Sequence, residues 1–330
     1  MRRRAGIADV AQAAGVSTAT VSRALSMPER VGAETRARVL KAVAATGYRA
    51  NAAARDLRQR RARAVTLLAP NLANTFFSRI VAAVQDVAGD AGLTVQISDS
   101  LVEVPRLAGL GVDGRSDGVL LLDGGLPAEM VRGWDVPVIM VCEWIEGADL
   151  PGVRIDNRAG ARMAVQHLLD LGHRHIACLG GPGGNVLSRA RADGWRAALA
   201  GAGVGHRPGD LMPGDFTMER GARAARDWAA MAPRPTAVFC TSDESALGFI
   251  SECDRMGLRV PDDVSVIGFD DIEFSDRFIP PLTTIHQPRA ALGRLAAERL
   301  VAAVTAGAAL SPEQSILDCR LQVRGSTAPV

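Results

Sequence analysis

Nothing in the 330-residue sequence approaches the run of about 20 apolar residues that a membrane-spanning helix needs. The basic start, MRRRAGIADVAQAAG, is followed by neither a continuous apolar stretch nor a cleavage site, which argues against a secretory leader. Five cysteines (Cys142, Cys178, Cys240, Cys253 and Cys319) are odd in number and form no close pairs. They fit a reducing, cytoplasmic setting and exclude a zinc finger. Catalytic signatures are also missing: there is no P-loop and no nucleophile elbow. The glycine cluster LGGPGG at 179–184 breaks the G-x-G-x-x-G pattern of dinucleotide sites. His173 and His175 sit at a helix-to-strand turn with no third ligand at metal spacing. The expectation is a soluble cytoplasmic protein that is not an enzyme and needs no metal or cofactor.

What is present is a sharp division of charge. Residues 1–63 hold 14 Lys and Arg against 4 Asp and Glu, whereas the remainder holds 24 against 32. A basic head on an acidic body is the electrostatic footprint of one nucleic-acid-binding module. A merely solvated charged surface would not switch sign at one point in the chain.

The head reads as four short helices. IADVAQAA (7–14) places Ile7, Val10, Ala11 and Ala14 on one face. Gly15 supplies a tight turn, and Ser17 is suited to cap the helix TATVSRAL, whose inward stripe is Val21 and Leu25. After a loop with Pro28, residues 32–47 form a third helix, with Val39, Leu40 and Val43 expected inward and Gly47 as its stop. This order is that of a helix-turn-helix unit. The fourth segment, NAAARDLRQRRARA (51–64), has Leu57 as its only large apolar residue. It is either a flexible basic linker or a helix that forms on meeting DNA.

From residue 64 short apolar strands alternate with amphipathic helices. Strands are expected at 64–69, 93–97, 118–122, 136–141, 175–180, 236–241 and 264–269, with helices such as 77–92, 158–172, 191–203 and 244–257 between them. That pattern predicts an α/β body with parallel sheets, long enough for two. Ligands of such sheets sit beyond the carboxyl ends of the strands, so the residues there come first.

IADVAQAAGVSTATVSRAL, GYRANAAARDL, GHRHIACLGGP, TSDESALG, VPDDVSVIGFDDI, PPLTTIHQP and the terminal RGSTA together resemble the lactose-repressor (LacI) family of bacterial transcription regulators, in order and over nearly the whole chain. Within it, VSTATVSRALSMPERV, GDFTMERG and LDCRLQVRGST are most similar to the cytidine-responsive subgroup. The resemblance implies an all-α helix-turn-helix head (1–50), a hinge (51–63) and an α/β body (64–330) of two parallel-sheet, Rossmann-like subdomains of periplasmic-binding-protein type. The first subdomain would comprise about 64–160 and 292–322, the second about 161–291 and 323–330. It also implies a homodimeric repressor on a pseudo-palindromic DNA operator, controlled by a small-molecule effector. The chain ends without leucine heptads, so a dimer is expected. A sugar- or nucleoside-binding protein of the same body fold without DNA binding is the competing reading, and the basic head opposes it.

At the DNA end, the resemblance places Thr18, Ala19 and Arg23 near base edges and Ser17, Thr20 and Ser22 near phosphates. Small residues allow close approach, hydroxyls donate to phosphate, and an arginine can hold guanine with two hydrogen bonds. Leu57 matches a hinge leucine that wedges into the minor groove, with Asn51, Ala54 and Arg55 beside it. Ala50 stands where many members have proline, which removes some pre-organisation of that hinge. At the effector end, Asn74, Phe76, Phe77, Arg191, Phe216, Asp243 and Asp270 lie near strand ends. Arginine and aspartate suit vicinal hydroxyls and aromatic faces suit a ring, so the expected effector is a nucleoside or a sugar. The resemblance makes Arg191 and Asp270 the leading ligands, with Phe77 and Phe216 as stacking faces. Asp243 serves equally as a helix cap, Phe76 equally as core, and Asp156 and Asn157 equally as turn formers. Glu143 and Trp144 are expected near the cleft.

Overall fold

A computed structural model describes residues 5–48, 61–101, 104–307 and 310–330. The chain divides into two compact units, Met1–Arg60 and Arg61–Val330. In the first, helices α1 (Ile7–Ala14), α2 (Thr18–Ser26) and α3 (Ala33–Thr46) close around a small core. Val10, Val21 and Val39 are fully buried there, and Ala11, Ala14, Ala24 and Ala42 let the helix axes approach. Gly15 ends α1 in the left-handed region (φ 63°), where a side chain would be strained. One expectation fails. Leu40 is 46% exposed, because it lies one residue round the helix from Val39, and Ala42 fills the inward row instead. The fourth expected helix lies outside the described residues.

The second unit contains twelve strands among its described residues: β1 (Ala64–Ala69), β2 (Thr94–Asp99), β3 (Gly118–Leu121), β4 (Val138–Val141), β5 (Gly152–Ile155), β6 (Ile176–Leu179), β7 (Leu211–Met212), β8 (Ala237–Cys240), β9 (Ser265–Ile267), β10 (Thr284–His286), β11 (Gln314–Leu317) and β12 (Arg320–Gln322). They form a six-stranded parallel sheet in the order β11-β5-β4-β3-β1-β2, a four-stranded parallel sheet β7-β6-β8-β9, and an antiparallel pair β10-β12. All seven expected strands are present: β1 at its expected bounds, β2 shifted to end at Asp99, and the other five shorter than expected. Those not anticipated, β5, β7, β10, β11 and β12, have two to four residues each and lack an unbroken apolar run.

Among the described residues eight α-helices accompany them: α4 (Ser78–Asp90), α5 (Val104–Gly109), α6 (Ala128–Arg132), α7 (Asn157–Asp170), α8 (Val186–Gly201), α9 (Met218–Ala229), α10 (Asp243–Arg255) and α11 (Arg289–Ala306). One continuous apolar cluster runs through both sheets, from Val65, Leu67, Leu120 and Ile139 to Ile176, Phe239, Phe249 and Phe269. The chain passes between the sheets three times. It leaves the first through α7, which packs on α8, and returns through α11, which packs on α4. After β11 it goes back again, and Val266 donates its N–H to the Ser326 carbonyl at 2.8 Å.

α9 and α10 pack with their backbones in direct contact. A Cβ on Gly221 would collide with the Ser245 carbonyl, and one on Gly248 with the Met218 carbonyl. Backbone meets backbone there, so neither neighbour can swing aside. Gly248→Ala is expected to lower unfolding free energy by about 1–3 kcal/mol in denaturant titration. Gly205→Ala, in an exposed loop where an added Cβ meets nothing within 4 Å, is expected to stay within about 0.5 kcal/mol of wild type.

Candidate functional site

Two surfaces carry the residues expected to matter. On α2, Ser17 precedes the helix in extended backbone and its Oγ accepts the Thr20 N–H at 3.1 Å. Its Oγ also lies 2.9 Å from Thr20 Oγ1, so this pair fixes the start of the helix. Val21 and Ala24 turn into the head core. Helical geometry then leaves Ser17, Thr18, Ala19 and Arg23 exposed, with Thr20 and Ser22 half-buried at the margin. The result is a narrow face of small side chains beside one arginine. Asn51, Ala54, Arg55 and Leu57 lie outside the described residues.

In the second unit a cavity of about 740 Å³ opens where strands of both sheets end. Pro70, Ser100, Leu122 and Cys142 reach it just beyond β1, β2, β3 and β4. Phe216, Ser242 and Asp270 reach it after β7, β8 and β9. Six of the seven expected residues meet here: Asn74, Phe76, Phe77, Arg191, Phe216 and Asp270. Asn74 accepts the Phe76 N–H at 2.8 Å and so caps the short turn Thr75–Phe77. Phe76 is 6% exposed and belongs to both core and cavity wall, with its ring edge-on to Phe77 at 5.4 Å. Phe216 reaches the wall from the left-handed region at φ 64°.

Arg191 is the anchor of the wall. It is 2% exposed and its guanidinium lies 3.9 Å from the centre of the Phe269 ring. Nε donates to Asn157 Oδ1 at 2.9 Å and Nη1 to the Thr241 carbonyl at 2.5 Å. Nη1 also lies 3.3 Å from Asp270 Oδ1, which accepts the Gln287 amide at 2.7 Å as well. Burial pulls the guanidinium down from its ordinary range, opposed by Asp270. Burial pushes the Asp270 carboxyl up to about 7, against the pull of Arg191. Asp270 is thus an acceptor poised at neutral pH.

Asp243 is a correction. It is fully buried behind the cavity, where Ser275 Oγ (2.6 Å), Thr284 Oγ1 (2.5 Å) and the Ile272 N–H (3.0 Å) all donate to it. With three donors in place its carboxylate ties α10 to the segments after β9 and at β10, and the neighbouring Ser242 caps the helix and faces the cavity. Trp144 is not on the cavity wall either; Arg154 lies over its ring at 4.9 Å. Asp156 caps α7 and Asn157 orients Arg191. His173 is held by Thr236 and the Ala328 carbonyl, and His175 by Asp210.

Polar residues not singled out from the sequence, among them Asp123 and Asn185, also line the wall, together with Glu143, which was expected only near the cleft. Glu143 is 6% exposed, accepts the Gly124 N–H at 2.7 Å and the Asn185 amide at 3.0 Å. Burial pushes its carboxyl up, against the effect of these two donors. Each missed residue lies just past a strand end or at a helix start, a signal that was available in the alternation itself. Among the described residues, no cluster of His, Cys, Asp and Glu could hold a metal ion, and no helix is long and apolar enough to cross a membrane.

Comparison with known proteins bears on both surfaces. Residues 6–51 match the lacI family of bacterial regulatory proteins, and residues 165–327 match a periplasmic binding protein-like domain. The chain is 38% identical over 325 residues to the HTH-type transcriptional repressor CytR of Escherichia coli (strain K12), covering 97% of this chain and 95% of that one. The lac repressor dimer bound to operator and the anti-inducer ONPF has a TM-score of 0.86 at 29% identity, covering 99% of this chain and 100% of the other. A transcriptional regulator CelR–cellobiose complex has a TM-score of 0.74 at 32% identity, covering 98% and 100%.

The Asp270 shift fixes a pH dependence. A carboxyl raised from 3.8 to about 7 on folding contributes stability that is full below about 3.8 and is lost as pH rises through 7. The stability of the ligand-free protein relative to Asp270→Asn is therefore expected to fall between pH 4 and 8 in denaturant titrations. A constant difference across that range is the contrary outcome.

Proposed function

The chain belongs to the LacI family of bacterial regulatory proteins, as a sequence-specific DNA-binding transcriptional repressor controlled by a small molecule, and from that premise we propose which residues divide the work. On α2, Thr18, Ala19 and Arg23 approach base edges in the major groove. Ser17, Thr20 and Ser22 hold phosphates at its margin. The exposed face of small side chains beside Arg23 supports this division, since only such a face lets a helix sit deep enough for arginine to reach guanine O6 and N7. In the hinge, Leu57 enters the central minor-groove step with Asn51, Ala54 and Arg55 beside it. The active species is a cytoplasmic homodimer, whose two heads read the two half-sites of a pseudo-palindromic operator.

The effector is a nucleoside or a sugar bound in the 740 Å³ cavity. One observation carries this reading: the Arg191–Asp270 pair is locked in place at a cavity wall that also presents Phe76, Phe77 and Phe216. A fixed acceptor beside a fixed donor suits vicinal hydroxyls, and the rings suit a planar base or the apolar face of a pyranose. The three aromatic rings favour the nucleoside. Because the cavity draws its walls from the ends of both sheets, a ligand bridging them favours one spacing of the sheets over another. That differential affinity is what couples the effector to the operator, and operator must in turn alter effector affinity by the same factor.

Calorimetry against nucleosides and sugars tests the cavity. Asp270→Ala is expected to weaken the best ligand by roughly 10-fold or more, the value of a hydrogen bond to a charged group; undiminished binding overturns the assignment. Selection of operator sequences tests the head. Arg23→Ala is expected to lose about 1–3 kcal/mol of discrimination at a single base position. A uniform loss across all sequences would make Arg23 a phosphate contact.

A further inference from the structure

The charge of the cavity wall carries a consequence for which ligands can enter. Among the described residues, its ionisable groups are Asp123, Glu143, Asp215 and Asp270 against Arg191, with the buried thiol of Cys142 also on the wall. Arg191 is balanced by Asp270 and keeps only Nη2 for a ligand. Its Nε and Nη1 already serve Asn157, the Thr241 carbonyl and Asp270.

One feature would ordinarily attract a phosphate. The glycine-containing loop 180–185 leads into the N-terminus of α8, an arrangement whose free N–H groups bind anions in many proteins. Here Asn185 and Ser188 already take three of those donors. Asn185 Oδ1 accepts the Leu187 and Ser188 N–H groups at 2.8 and 3.0 Å, and Ser188 Oγ accepts the Gly181 N–H at 3.0 Å. The Asn185 amide then donates outward to Glu143 Oε1 at 3.0 Å, while the Gly124 N–H takes Oε2 at 2.7 Å. A carboxylate of the protein therefore sits where an anionic ligand group would seek donors. On the same wall the Asp123 carboxylate, fixed by Ser100 and the Gly125 N–H, adds a second negative charge.

We infer that this cavity admits neutral ligands and refuses their phosphate esters, and that Glu143 is the specificity-determining residue that enforces the refusal. The inference rests on the nucleoside-or-sugar reading of the cavity and sharpens it. A phosphate ester brings nearly two negative charges and strong acceptor oxygens. It would lose its hydration against a wall that carries Glu143 and Asp123, with several of the nearby donors already committed to protein acceptors. A neutral hydroxyl or amino group can instead donate to Glu143 and Asp123.

The test titrates the full chain with matched pairs: cytidine and cytidine monophosphate, adenosine and adenosine monophosphate, ribose and ribose 5-phosphate, with inorganic phosphate as the bare anion. The expected result is binding of at least one neutral member at least ~100-fold tighter than its phosphate ester, and no binding of inorganic phosphate. Glu143→Gln, which keeps an oxygen for the Gly124 N–H but removes the charge, is expected to shrink that ratio by roughly tenfold. A phosphate ester that binds as tightly as its neutral partner overturns the inference and leaves the cavity reading standing. A ratio unmoved by Glu143→Gln overturns the role of Glu143. Failure of every pair to bind overturns the cavity reading itself, and the inference with it.

Discussion

A buried guanidinium is the constraint around which the second unit is organised. Arg191 comes from the first half of α8, yet its partners belong to three other places: Asn157 at the start of α7, Thr241 after β8 and Asp270 after β9. A charge this deep is tolerated only where each of its faces is answered, since its removal from water costs several kcal/mol. Phe269 answers one face of the plane and oxygen acceptors answer its edges. Three loops are thereby held in one geometry. The cost of burial is what makes the arrangement specific, because an alternative packing would strand the cation.

The surroundings of Arg191 explain why Asp270 and Asp243 have different parts to play. Both are buried carboxylates, and both are raised by that burial. Asp243 has hydroxyl and amide donors on both oxygens and faces no cavity, so it serves as a rivet between α10 and the segments after β9 and at β10. Asp270 shares Oδ1 between Gln287 and Arg191 and lines the open space. A ligand can reach the second and not the first. Glu143 stands on the wall with Gly124 and Asn185 as donors, so a carboxyl group lines both the β4 and the β9 sides of the cavity.

The head follows a different economy. Its core is made of three valines and several alanines, which bury little area but allow three short helices to close tightly. Ser17 spends its oxygen on the start of α2, leaving Thr18, Ala19 and Arg23 free of structural duty. Leu40 shows how thin the margin is: with so few large side chains, a single leucine can stay at the surface because an alanine fills the row it would have occupied.

Much of this was legible in the sequence. The charge break near residue 63, the 3.6-residue period of α1, α2 and α3, and the seven longer apolar strands are local properties, and local periodicity fixes them whatever the chain later does. The positions of Asn74, Phe77, Phe216 and Asp270 beside one cavity followed from the general rule that ligands collect at the carboxyl ends of parallel strands, whereas Arg191, inside α8, was singled out by the resemblance to the LacI family. What the tertiary structure alone decided was which polar groups were already spent. Asp243 and Asp270 look alike in the chain, one residue past an apolar run or nearly so. Only the meeting of Ser275, Thr284 and the Ile272 amide around the first, and of Arg191 around the second, separates them. Hydrogen-bond saturation depends on partners 29 to 79 residues distant in sequence, and no pattern of neighbours can encode it.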